Sequence, residues 1–158
     1  MGGRRISKED FLRKFPSALE HGKLALKWLE EANNLQSAED VDCALGIGFA
    51  FGFASEHKRI LFQLLKVDWH YRHEDIVSAL ETWPTPDTIE PLYNITQWIP
   101  KSLEYDDARA LAVKAIWALG KIPDAEAEKK LQALTHSENQ IIRKNAQEQL
   151  NRRQGVTR

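Results

Sequence analysis

Histidine and carboxylate side chains that stand close together are the first place to look for chemistry in this 158-residue chain. His70 and His73 lie three apart, with Asp68, Glu74 and Asp75 around them, a spacing compatible with a metal-ligand set. No His-Glu-x-x-His pattern accompanies them, and the single cysteine, Cys43, is remote in sequence. A helix start accounts for the same residues: acids are favoured at a helix N-terminus, and Trp69 just before it can act as a packing anchor. No metal is expected. Gly46, Gly48 and Gly52 fail the dinucleotide fingerprint, because the third glycine comes one residue late and no strand precedes them. Gly48 and Gly52 share a helix face and are expected to admit a neighbouring helix closely.

Nucleophilic catalysis finds no pattern either. Cys43 opens an apolar run, where a thiol is inert unless something lowers its pKa. There is no Gly-x-Ser-x-Gly elbow and no phosphate-binding loop. Carboxylate pairs among 23 acidic residues are too easily imagined to carry weight. The chain reads as a non-enzyme without catalytic residues or cofactor. Of the five tryptophans, at 28, 69, 83, 98 and 117, most read as core, while Trp69 and Trp98 border loops and suit interface anchors.

Any such residues need elements to hold them. With 42% hydrophobic and 28% charged residues, and 22 basic against 23 acidic, the composition is that of a soluble globular protein. It excludes disordered, collagenous and disulfide-stapled classes, and a net charge of −1 makes no global case for nucleic acid. The length suits one domain able to bury roughly 70% of its unfolded surface. One cysteine fits a reducing, cytoplasmic setting. No apolar stretch follows the basic start Met1 to Arg5, and the longest apolar run, 43–54, is 12 residues where a membrane span needs about 20.

Strand signals are weak and helix signals abundant. Leu111, Ala115, Ala118 and Leu119 recur at the helical period, as do Ile76, Ala79, Leu80 and Trp83. Ser37 and Asp106-Asp107 read as helix starts, and Gly120 followed by Pro123 as a stop. The expected helices cover 7–14, 16–34, 38–54, 56–66, 73–83, 87–99, 106–120, 125–135 and 138–152, with an Arg-rich tail over 153–158. Pro91 is awkward within 87–99 unless the helix begins near Glu90.

Self-comparison adds a repeat. Ile76 to Pro84 aligns with Ala115 to Pro123, and 39 residues separate both Leu80 from Leu119 and Leu92 from Leu131. A third, shorter unit runs from Ile142-Arg143-Lys144-Asn145-Ala146 to Leu150. Two helices per unit at this spacing predict an all-α helical solenoid.

Ala115-Ile116-Trp117-Ala118-Leu119-Gly120-Lys121-Ile122-Pro123 resembles the second helix of a HEAT repeat, and Ile142-Arg143-Lys144-Asn145-Ala146 its Val-Arg-x-x-Ala segment. The resemblance covers 56–152 as three repeats, with 16–54 as an N-terminal helix pair matched by helix spacing alone. It implies a right-handed solenoid of antiparallel helix pairs forming a single domain over 1–158. Asp68 to Val77 and Tyr105 to Ala112 resemble short bacterial HEAT-repeat proteins associated with polymorphic toxin systems, which implies an immunity protein (an antitoxin in the broad sense).

Charge distribution points the same way. From Glu39 to Asp107 there are 13 acidic and five basic residues, a net −8, which leaves +7 for the rest. An acidic middle would steer a basic partner, expected to be a cognate protein toxin. The expected partner surface is Trp69, His70, Tyr71, Arg72, His73, Glu74 and Asp75 with Tyr105, Asp106, Asp107 and Arg109, brought side by side by successive repeats. Two other readings stay open. One is a HEAT-type adaptor or lyase-like chaperone; the other is a nucleic-acid binder using Arg143, Lys144, Arg152 and Arg153. Neither membrane nor nucleic acid is the expected partner.

Overall fold

The computed structural model describes residues 18–155, with side chains from Lys23 onward. The helix expected over 7–14 and the end of the tail, 156–158, lie outside the described residues. Among the described residues all regular structure is helical and strands are absent. No helix among them is long and apolar enough to cross a membrane. The chain divides into two compact units, one ending at Asp75 and the other running from Ile76.

The first unit contains α1 (Ala18–Leu35), α2 (Ala38–Phe51), a 3-10 turn (Ser55–His57) and α3 (Lys58–Leu65). Gln36 and Ser37 alone join α1 to α2, so the two helices turn back on each other. Gln36 adopts φ 51, and the bonds Gln36 N–H to Asn33 O and Ser37 N–H to Ala32 O close a Schellman motif. Ser37 then accepts from Asp40 N–H to begin α2. Ala25, Leu29 and Ala32 of α1 are buried with Val41, Ala44 and Leu45 of α2 and Ile60, Leu61, Leu64 and Leu65 of α3.

α2 ends at Phe51, three residues earlier than expected, because Gly52 takes φ 95 and returns its N–H to Gly48 O. Of the glycine pair expected to admit a neighbouring helix, Gly48 is covered by Phe53 instead and Gly52 lies in open space past the helix end. A side chain at Gly48 would lie 2.1 Å from that ring, which stands edge-on to both Phe49 and His57.

α4 (His73–Leu80) spans the division between the units. The second unit continues through a 3-10 turn (Pro86–Thr88), α5 (Ile89–Ile95), another (Lys101–Leu103), α6 (Ala110–Gly120), α7 (Ala125–Leu134) and α8 (Gln140–Arg153). Pro91 falls in the first turn of α5, where its missing N–H would have had no helical partner anyway. α6 is the centre: Leu111, Ala112, Ala115, Ile116, Ala118 and Leu119 are all buried, and the helix packs on α5, α7 and α8.

Gly120 serves close packing, not helix reversal. A Cβ there would meet Gln149 Oε1 at 2.1 Å. The carbonyls left open as α6 ends are closed by Arg153, which donates to the main-chain oxygens of Gly120, Ile122 and Asp124.

Contacts inside this unit recur at nearly the repeat length. Lys121 Nζ lies 2.8 Å from Glu81 and Lys130 Nζ 2.8 Å from Glu90, each pair 40 positions apart. The hydrogen bond that Lys130 donates to Glu90 holds its ammonium above its usual pKa. Lys114 of α6 donates to Ser78 of α4, α5 touches α7, and α6 touches α8.

Candidate functional site

The residues expected to meet a partner fall in two segments, and local chemistry decides what each exposes. In the first, α3 ends at Leu65 and leaves carbonyls without helical partners. His70 answers one of them. Its Nδ1 accepts the Arg72 N–H at 3.0 Å, so Nε2 carries the proton and donates to Leu64 O at 2.7 Å. His73 Nε2 donates to Val67 O at 2.6 Å. The imidazoles stack at 4.2 Å, and Trp69 stands edge-on to His70.

Both histidines are 1% exposed. Burial pushes His70 down to about 4, against its bond to the Leu64 carbonyl and aided by His73. Burial lowers His73 as well, against its bond to Val67. These rings are buried supports of a loop and have no face left for a partner, which corrects the expectation for His70 and His73. Arg72 is also anchored, by an ion pair with Asp42 of α2 and one of 3.3 Å with Asp75. Trp69, Glu74 and Asp75 are half-buried, and Tyr71 alone in this segment is well exposed, at 60%.

The second segment faces out. α6 begins at Ala110, not at Asp106, because Arg109 adopts a left-handed conformation, φ 53 and ψ 43. Asp106 fastens the turn before it: its carboxylate accepts from Ala108 N–H and Ala110 N–H, and its carbonyl from Arg109 N–H. Tyr105 at the tip is 94% exposed, and Asp107 is exposed beside it. The two segments belong to different compact units.

Arg109 also lines an open cleft of about 510 Å³ that lies wholly within the second unit. Its walls are the ends of α5 and α7 and the start of α8, with Tyr93, Gln97, Trp98, Ile99 and His136 contributing side chains. None of these except Trp98 stands out in the sequence by type. The repeat could have found them: Thr96 and Thr135 are 39 apart, and each hydroxyl donates to the carbonyl three residues back. Carried one residue further, the same offset pairs Gln97 with His136.

Three or more His, Cys, Asp or Glu side chains able to hold a metal do not converge among the described residues. The chain matches no protein family, no curated protein and no solved structure.

Proposed function

We propose that this chain is a non-catalytic protein-binding module of HEAT-like repeats, and that it acts as an immunity protein holding a cognate bacterial toxin inactive. The observation that carries the binding role is Tyr105: a tyrosine 94% exposed on a turn already fixed by its own hydrogen bonds. A rigid, amphipathic ring loses little conformational entropy on binding, which is why tyrosine is enriched among interface anchors. Asp107 beside it supplies the charge that would draw a basic partner.

The repeat reading draws support from ion pairs at a 40-residue offset and from packing of α5 on α7 and α6 on α8. The toxin reading rests on the resemblance of Asp68 to Val77 and Tyr105 to Ala112. Arg143 donates to the carbonyls of Ser137 and Glu138, Arg153 to those beyond α6, and Arg152 lies over Trp117. These engagements weigh against a nucleic-acid surface built on the same arginines.

The test is affinity for the purified product of the neighbouring toxin gene, measured for wild type, Tyr105→Ala and Asp107→Lys. Each variant should bind at least about tenfold more weakly at unchanged melting temperature, and Asp107→Lys should lose on-rate most at low salt. Wild-type affinity in both variants would move the interface away from this turn.

A further inference from the structure

Arg109 occupies a backbone conformation that an arginine disfavours, and the reason for arginine there lies in the cleft. Two described non-glycine residues have positive φ, Gln36 and Arg109. Gln36 closes a Schellman motif, where the left-handed conformation ends the helix. Arg109 precedes a helix, where an extended cap is the usual solution and a glycine would suit this turn better.

Among the described residues no acid pairs with the Arg109 guanidinium, and Arg109 lines both the cleft and a small notch beside Leu103 and Leu111. Within that turn, Asp106 has its carboxylate taken by two backbone N–H groups. Ile99, 43% exposed, lines the same space, as do Trp98 and Tyr93. Gln97 Nε2 donates to Thr96 Oγ1, which leaves its Oε1 as an acceptor.

We infer that this cleft is a binding site for a singly charged carboxylate carrying an apolar body, with Arg109 as the anchor. A guanidinium grips a carboxylate through two parallel N–H bonds, and the apolar body would lie along Ile99 and Trp98. A phosphate fits less well. Two helix ends, of α5 and α7, and Glu138 line the cleft against one helix start, that of α8, so the balance of poles and charge there disfavours a second negative charge. The ligand is a free small acid or the C-terminus of a peptide, since both present this chemistry. The site stands apart from the Tyr105 proposal, because its variants leave Tyr105 and Asp107 untouched.

The experiment is an NMR titration of the full chain with N-acetyl-leucine and with its neutral amide, followed by a pentapeptide ending in leucine, as acid and as amide. A fragment of this size should bind in the range of about 1 mM, with shifts at Ile99, Arg109 and His136. The acid should bind at least about tenfold more tightly than its amide. Arg109→Gln and Arg109→Gly should both remove that preference, while Arg109→Gly keeps or raises the melting temperature because glycine relieves the turn. Glu138→Gln should tighten binding a few-fold. If the peptide acid alone binds, the source is a polypeptide terminus; equal binding of both acids identifies a small-acid site. Equal affinity for acid and amide, wild-type binding in Arg109→Gln, or no binding of either acid at about 20 mM would overturn the assignment.

Discussion

The segment from Trp69 to Asp75 and the segment from Tyr105 to Arg109 look alike in sequence, each an aromatic among charged residues before a helix, yet they behave in opposite ways. In the first, seven residues separate the end of α3 at Leu65 from the start of α4 at His73, and the loop must close the carbonyls that α3 leaves open. His70 does so from inside at Leu64, and His73 holds the loop's own Val67 carbonyl in the same way. In the second, a 3-10 turn and a left-handed residue intervene before α6, and one carboxylate fastens the turn from its own side chain. That leaves Tyr105 and Asp107 with nothing to support. A polar helix start is therefore internal scaffold or free surface according to where the preceding backbone carbonyls must go.

The contrast is broken most severely at His70. Replacing His70 by alanine should destabilise the fold by about 3–5 kcal/mol, since the Leu64 carbonyl and Arg72 N–H lose their partner and a cavity opens. Urea denaturation measures this directly. A loss below about 1 kcal/mol would mean that the buried imidazole is replaceable by water, and the inward character of this segment would be wrong.

Acid should act on the same segment with a defined sign. His70 sits at about 4 in the folded chain against 6.5 when unfolded, so between those values the unfolded state binds more protons. The contribution of neutral His70 is full above about pH 6.5, falls through that window, and levels off below about 4. The whole loss is about 3 kcal/mol at roughly 1.4 kcal/mol per unit, and His73, also lowered, adds in the same direction. Because carboxylates titrate at the low end too, the measured quantity is wild-type stability minus that of His70→Gln across pH 4 to 7. A flat difference would contradict a buried, neutral His70.

A smaller effect is expected at Asp106. It accepts two backbone N–H bonds, and Asp106→Ala should cost about 1 kcal/mol, the usual size of a lost cap. Asp106→Asn should recover part of that loss, because an amide oxygen can still accept. Equal loss in both variants would assign the contribution to charge near the helix start instead of to these bonds.

Much of the framework is legible in the sequence, for local reasons. Ala115, Ala118 and Leu119 are buried where the helical period places them, and Ser37 caps α2 as expected. Leu80, Leu92, Leu119 and Leu131, the positions that define the 39-residue offset, are all buried. What escapes is non-local or conformational. Acids before alanines read as a direct helix start, so nothing distinguishes Asp106 as a cap from Asp106 closing a turn four residues upstream of α6. The burial of His70 and His73 depends on carbonyls of Leu64 and Val67, six residues away in each case. The cleft escapes because its polar residues, Gln97 and His136, are ordinary one at a time and related only through the repeat.

The smallest effect is the one that makes the comparison quantitative. Tyr105 is 94% exposed, and the hydrogen bonds of its turn run through Asp106, not through the tyrosine ring. Tyr105→Ala should therefore change stability by no more than about 0.5 kcal/mol, the usual range for surface substitutions away from special features. Tyr71, at 60% exposure on the inward-facing segment, gives the matched control. Its loop neighbours His70 and Arg72 are both anchored, so Tyr71→Ala removes a ring from a loop that is already held and should also stay within that range. Paired melting curves for the two tyrosine variants against His70→Ala would then separate side chains that maintain the fold from side chains it merely displays. A loss above about 1.5 kcal/mol in Tyr105→Ala would show that the ring packs against the chain in solution, and its place in the proposed interface would fall with that result.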